Sequence, residues 1–274
     1  IFVLCVALSM VTLVALRGFG DSVDRALTRD SRALIAGDVR LTSGYPFAPE
    51  VATAVQSVVK DGRLGDEAAR TYEFYSVVRR TGEDASLLSN LKVVEPSYPL
   101  YGAVALASGR PLGEVLTQGN AVAEQALLDR LGVKIGDRLR VGETTLTIAD
   151  VVLSEPDRPV NFFALGPRLL IGSADLDTLQ LIKPGSRVSY NWSLRAASPA
   201  AVDPLAAELR AAVDKLPDPG LVRVDTFRTA DTGIERFYRN FIFFLALVGI
   251  FTLLLAGIGI QSSLTAFLRE RYST

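Results

Sequence analysis

Apolar residues are concentrated at the two ends of the chain. Residues 1–16 and 241–268 carry no charge, whereas the stretch between them mixes apolar and polar positions at ordinary globular density. At 1.5 Å per residue the first run spans ~24 Å and the second ~42 Å, against a hydrocarbon core of ~30 Å. The pattern predicts transmembrane helices at 1–16 and 241–264, with 265–274 starting a cytoplasmic segment. The first run also has the length of a signal-peptide apolar region, but no small-x-small cleavage site follows, and the chain continues as Arg17-Gly-Phe-Gly20. The chain starts at Ile1 inside an apolar run and stops at Thr274 just after a charged cluster, so both ends read as cut. Gly257, Gly259 and Ser263 are candidates for close helix packing, the last two forming a small-xxx-small pair.

Helical periodicity continues beyond both runs. Phe19, Val23, Leu27 and Leu34 recur on one face of 17–36, with Asp21, Asp24, Arg25 and Arg29 between them and Gly37 as the stop. On the other side Thr232-Gly-Ile-Glu235 reads as a capping box, and Ile234, Phe237 or Tyr238, and Phe241 continue one face into the second apolar run. Segments 17–36 and 226–240 are therefore expected to form a paired stalk, with these residues as candidates for transmitting motion.

Between the stalk segments a β-α-β pattern occurs twice. Val39 to Leu41 alternates as a strand, Pro49 to Lys60 is helical with Val51, Val55 and Val58 on one face, and Ala69 to Arg79 is extended. Later, Val188 to Arg195 reads as a strand, Asp203 to Lys215 as a helix, and Leu221 to Val224 as a strand. The predicted fold class is α+β. Segments 37–83 and 188–225 form a ferredoxin-like split β-α-β subdomain, and 84–187 is inserted as a β-rich subdomain. Within the insertion, Glu124 to Leu131 is helical and stopped by Gly132. Asp137 to Val141 and Thr144 to Val151 flank a Gly142-Glu143 turn, a hairpin signal. Glu155-Pro-Asp-Arg-Pro159 reads as a polar loop, with a functional contact as the alternative.

Composition narrows the chemistry. The chain has no histidine, one cysteine (Cys5), and 29 basic against 30 acidic residues. A Ser-His-Asp triad, a Cys-His pair, a histidine metal ligand and an internal disulfide are excluded. No phosphate-binding glycine loop is present, and the charge balance does not favour nucleic acid. No cofactor, metal or catalytic residue is expected, and any ATP hydrolysis would fall to another chain or domain.

Leu255-Ala-Gly-Ile-Gly-Ile-Gln-Ser-Ser-Leu-Thr-Ala-Phe-Leu-Arg-Glu-Arg271 resembles the second transmembrane helix of FtsX/MacB-type ABC permeases. There a Gly-Gly-Ile-Gly-like stretch runs to a Glu-Arg pair before the cytoplasmic coupling helix. Ala126 to Asp137, Glu155-Pro-Asp-Arg158, Leu165-Gly-Pro167, Lys183-Pro-Gly-Ser186 and Tyr98-Pro-Leu-Tyr-Gly102 look like the YbbP-like branch. The resemblance implies a multi-pass protein of the bacterial inner membrane, with residues 17–240 periplasmic and both ends cytoplasmic. Arg269, Glu270 and Arg271 would lie at the cytoplasmic coupling edge. It also implies a cytoplasmic ABC ATPase subunit as partner, further transmembrane helices or a second copy of this unit, and membrane lipid around it. The expected function is a non-enzymatic permease acting on lipids, lipoproteins or other hydrophobic compounds by mechanotransmission. Alternatives are an activator of a periplasmic cell-wall hydrolase, with a periplasmic partner protein, or a sensor domain between two membrane helices. The substrate and the oligomeric state are not legible in the sequence.

Overall fold

The structure is a computed structural model. It describes residues 18, 32–33, 35–60, 64–82, 85–158, 166–229, 240–241, 243–252, 254, 257–259, 261–262 and 265. The chain divides into two compact units, Ile1–Asp30 with Asp231–Thr274, and Ser31–Ala230.

In the first unit the described residues from 240 to 265 are all helical. Phe243, Phe244, Val248, Ile250, Phe251, Leu254 and Ile258 there are exposed. Among the described residues no helix is long and apolar enough to cross a membrane. The expected helix at 1–16 lies outside the described residues, as do Phe19, Val23, Leu27, Leu34, Ile234, Phe237, Ser263, Arg269, Glu270 and Arg271. Gly257 and Gly259 are helical, with open space where a side chain would stand.

The second unit is built on strands β1 (Val39–Ser43), β2 (Leu64–Arg80), β3 (Ser86–Val94), β4 (Ala105–Leu106), β5 (Asn120–Glu124), β6 (Arg138–Val141), β7 (Thr144–Ser154), β8 (Arg168–Gly172), β9 (Ser189–Ala196) and β10 (Val222–Thr226). Helices α1 (Pro49–Lys60), α2 (Leu112–Val115), α3 (Gln125–Leu131), α4 (Leu176–Leu179) and α5 (Val202–Val213) lie between them. The four strands of the repeated β-α-β pattern stand in the order β10-β1-β9-β2, with every adjacent pair antiparallel. That order is the interleaving of a split β-α-β unit, since β9 enters between the parallel strands β1 and β2. α1 starts on Pro49, whose fixed φ suits the first helical position. It buries Val51 and Val55 one turn apart. α5 buries Val202, Leu205, Ala206, Leu209 and Val213 at helical spacing. Both helices cover one face of this sheet, packing on Val39, Leu41, Trp192, Leu194 and Val224.

The residues of 84–187 bury a second core but do not leave the sheet. β2 continues past β9 to pair with β3 and β6. β3 pairs with β8, β8 with β5, β5 with β7, and β7 with β6. These pairings return to β2 and close a six-stranded barrel. Its interior holds Phe74, Val78, Leu91, Val93, Leu139, Leu146, Ile148, Leu169 and Ile171, with Leu127 and Leu128 of α3 packed into the same core. Closure removes the open edges that a short inserted sheet would expose. β2 belongs to the open sheet at one end and to the barrel at the other, so the two parts share a strand. Locally, α3 ends where Gly132 adopts φ +64°. The β6–β7 hairpin turns at Gly142, with φ +58°. The segment Asn120–Glu124 is the barrel strand β5, which runs directly into α3. Ala121 and Ala123 of β5 are wholly buried in the barrel core.

Candidate functional site

Two polar clusters stand out against the apolar cores, and both lie on the sheet face opposite α1 and α5. The first is at the base of the unit, where chain enters and leaves. β1 begins beside the end of β10, with Val39 opposite Thr226, and Phe227 N–H donates to the Asp38 carbonyl at 3.0 Å. Asp38 is 2% exposed. Its Oδ2 accepts from Tyr101 Oη at 2.7 Å and from Ala196 N–H at 3.0 Å. Its Oδ1 lies 2.9 Å from Arg32 Nε in an ion pair whose angle is too bent for a hydrogen bond. The Arg32 guanidinium stands 4.7 Å from the Phe227 ring and 5.5 Å from Tyr101, and Arg195 stands 4.7 Å from Tyr101. Burial, and then the hydrogen bond to Asp38, raise the Tyr101 phenol above its ordinary range.

The second cluster runs across β1, β2, β3 and β8. Arg40, Glu73, Asn90, Lys92 and Arg168 share one face because the strand registers place Glu73 opposite Lys92 and Asn90 opposite Arg168. The loop Glu155–Arg158 lies over this row. Lys92 is wholly buried, with Nζ 2.6 Å from Asp157 Oδ1, 3.4 Å from Glu155 Oε2, 3.8 Å from Glu73 Oε1 and 2.7 Å from Tyr98 Oη. Arg168 donates to Glu155 at 2.8 Å, Glu73 at 3.2 Å and Asn90 at 2.8 Å. Arg40 donates to Asp157 Oδ2 at 2.7 Å. Arg158 forks onto both oxygens of Glu124 at 3.0 Å, and Arg168 N–H donates to the same carboxylate.

Three cations, Arg40, Lys92 and Arg168, thus meet three carboxylates, Glu73, Glu155 and Asp157. Buried charges persist only when paired and hydrogen-bonded. Burial alone would raise the Asp157 carboxyl, but Lys92 and Arg40 hold it well below its ordinary value. Burial opposes charge on Arg168 as well, yet Glu73 and Glu155 keep it protonated at any accessible pH. For Glu124, burial is outweighed by the Arg158 and Arg168 hydrogen bonds, and its carboxyl is lowered. The Tyr98 phenol is raised, first by burial and then by Asp157 and Glu155. With the charges neutralised this way, the cluster holds the loop, the barrel and β1 in one arrangement.

Tyr98 and Tyr101 sit in one loop and join the two clusters. Gly102, with φ +77°, lets this loop approach the Glu155–Arg158 loop so closely that an added Cβ would stand 2.9 Å from Pro156 Cβ. The motif Tyr98-Pro-Leu-Tyr-Gly102 therefore connects the base to the buried ion pairs. The ion pairs end at an open cleft of about 1410 Å³, whose wall includes Glu73, Asn90, Arg158 and Arg168.

The sequence pattern places the candidate residues on the stalk, in the second apolar run and at the coupling edge, and makes Glu155–Pro159 a loop. Among the described residues, 155–158 do form a loop, with Glu155 and Asp157 buried in it. The missed residues were Lys92, Glu73 and Arg168. Their signal was a charge inside an otherwise apolar strand, as in Leu91-Lys-Val-Val94, which requires a partner that periodicity cannot name. Among the described residues no group of His, Cys, Asp and Glu could hold a metal ion.

The family model described as MacB-like periplasmic core domain matches residues 1–212. The ABC transporter permease YbbP of Escherichia coli K12 is 30% identical over 190 residues, which is 69% of this chain and 22% of that protein. The chain thus spans about a fifth of the curated relative it matches. Among solved structures, a domain of a permease protein from Porphyromonas gingivalis is 15% identical with a TM-score of 0.41, covering 69% of this chain and 89% of that one. The extracellular domain of the noncanonic ABC-type transporter YknZ from Gram-positive bacteria is 12% identical with a TM-score of 0.44, covering 69% of this chain and all of that one.

Proposed function

The chain belongs to the family of MacB-like periplasmic core domains, and from that premise we propose that it is the first periplasmic domain, with its two flanking membrane helices, of an ABC-type export permease. In this reading 1–16 and 241–264 span the bacterial inner membrane, 17–36 and 226–240 form a stalk, 17–240 is periplasmic, and 265–274 begins the coupling segment. The open sheet of 37–83 and 188–225 and the barrel that 84–187 closes with β2 are the two parts of the periplasmic body. ATP is hydrolysed by a separate ABC ATPase subunit, and the permease itself is not an enzyme. The work done is the movement or extraction of lipids, lipoproteins or other hydrophobic compounds by mechanotransmission.

The observation that carries the reading is the base of the Ser31–Ala230 unit. The incoming segment at Asp38 and the outgoing segment at Phe227 are hydrogen-bonded neighbours, the arrangement a paired stalk requires. Displacement of either segment would act on Arg32, Asp38 and Tyr101, and through the Tyr98–Gly102 loop on the ion pairs; coupling of this kind needs a packed, contiguous element. The exposed apolar residues of the described helix between 240 and 265 also call for a covering apolar phase.

The test is topological. In a Cys5→Ala background, Ser86→Cys of the exposed β3 start should react with a membrane-impermeant maleimide in intact spheroplasts. Reaction only after lysis would overturn the assignment of sides.

A further inference from the structure

The cleft at the far end of the ion-pair row has a composition that the ion pairs do not account for. One wall comes from the turn after β1, the start of β9 and the approach to β10. The other comes from β2, β3, β8 and the loop before β9. Three large side chains stand exposed in it, Tyr45 at 61%, Tyr75 at 44% and Leu221 at 46%. Charge on the walls is one-sided. Arg158, Arg168, Lys183, Arg187 and Arg223 face a single carboxylate, Glu73. Arg158 is neutralised by Glu124, Arg168 by Glu73 and Glu155, and Arg223 by Asp225. Lys183 and Arg187 are exposed and form no ion pair with a described residue.

The loop carrying these two cations is held in place. Ser186 N–H donates to the Lys183 carbonyl at 2.9 Å, Lys183 N–H donates to Ser186 Oγ at 3.0 Å, and Gly185 takes φ +88°. The cations therefore project from a fixed turn at the mouth of the cleft.

We propose that this cleft docks an extended acidic segment of a partner protein, with its apolar side chains on Tyr45, Tyr75 and Leu221 and its carboxylates on Lys183 and Arg187. Three features select this occupant. The cleft is open and its volume exceeds the roughly 300–1,000 Å³ of enclosed small-molecule sites. Exposed tyrosine beside arginine is the composition of interface hot spots, because the ring buries much area at low entropy cost. The uncompensated positive charge fixes the sign of the partner and would speed its encounter. The inference rests on the periplasmic placement proposed above, and it names the chemistry of a partner there.

The test is fluorescence anisotropy on the full chain in neutral detergent. The probes are a short fluorescein-labelled peptide of alternating Glu and Tyr and its Lys-for-Glu counterpart, and dodecyl phosphate serves as competitor. The acidic peptide should bind, weaken about tenfold in Lys183→Glu/Arg187→Glu and in Tyr75→Ala, and weaken further as salt is raised. The variants alter exposed side chains, and an unchanged melting temperature checks that they fold. No binding of the acidic peptide, equal binding of the Lys peptide, or no effect of the charge reversal would overturn the proposal. Displacement by dodecyl phosphate at concentrations where an acidic peptide fails would overturn it in favour of a lipid. The assay needs neither ATPase nor membrane orientation, so its failure leaves the permease reading to the Ser86 labelling.

Discussion

The Arg32 guanidinium lies 4.7 Å from the centre of the Phe227 ring, so one cation–π contact ties the segment entering the Ser31–Ala230 unit to the segment leaving it. Arg32→Ala removes that contact, the one to Tyr101, and the cation facing buried Asp38. The expected loss is about 1–3 kcal/mol, with the ion-pair share reduced because Arg32 is one-third exposed. Arg32→Lys should recover only part, since an ammonium lacks the planar face that stacks on both rings. Urea unfolding measures this, and a wild-type midpoint for Arg32→Ala would mean that the contact holds nothing.

Lys92→Met leaves the Asp157 and Glu155 carboxylates buried without their shared cation. A loss of about 3–5 kcal/mol is expected, as for breaking any buried pair from one side. Adding Asp157→Asn to Lys92→Met should restore part of it, because the stranded charge is then gone. If the two substitutions were additive in equilibrium unfolding, they would not be acting on one interaction.

Stability should fall at both ends of the pH scale, for opposite reasons. The folded Asp157 carboxyl titrates well below its unfolded value of ~3.9, so its contribution is complete above that value and is lost as pH falls further. The folded Tyr98 phenol titrates above its unfolded value of ~10, so its contribution is complete below that value and is lost as pH rises beyond it. Unfolding free energy measured against pH should show a shallower acid limb in Asp157→Asn and a shallower alkaline limb in Tyr98→Phe.

Two glycines in left-handed backbone should respond differently to alanine. At Gly142 an added Cβ runs into the Leu179 carbonyl, whereas at Gly185 it meets open space. Gly185→Ala should cost about 1 kcal/mol of backbone strain, and Gly142→Ala clearly more, at least 2 kcal/mol. Equal melting temperatures for the two variants would contradict the contact at the β6–β7 turn.

Leu27→Asp tests the proposed stalk. A charge placed in a buried stalk contact costs a few kcal/mol. In the full permease with its ATPase, normal membrane level, near-normal basal ATP hydrolysis and lost transport are expected. Full transport by this variant would remove the stalk from the mechanism.

Local elements were legible where one physical requirement acts on neighbours in sequence. α1 follows from Pro49 and the one-turn spacing of Val51 and Val55. The end of α3 follows from Gly132, and the β6–β7 hairpin from alternation around Gly142. The candidate site was not legible in this way. Lys92 and Asp157 are far apart in sequence, and neither carries a mark of the other. A lysine in an apolar strand announces that some carboxylate must meet it, but only strand register decides which.

By itself, then, the sequence determined the apolar ends, the repeated β-α-β order and the absence of histidine chemistry, because periodicity, turn residues and composition are properties of short stretches. The tertiary structure alone decided that β2 serves two cores at once, that 84–187 closes on it as a barrel, and that Arg32 meets Phe227 beneath a loop carrying Tyr98 and Tyr101. Those relationships depend on which strand edges pair across long separations. Pairing is settled by the total burial and charge satisfaction of the folded chain, which no local window contains.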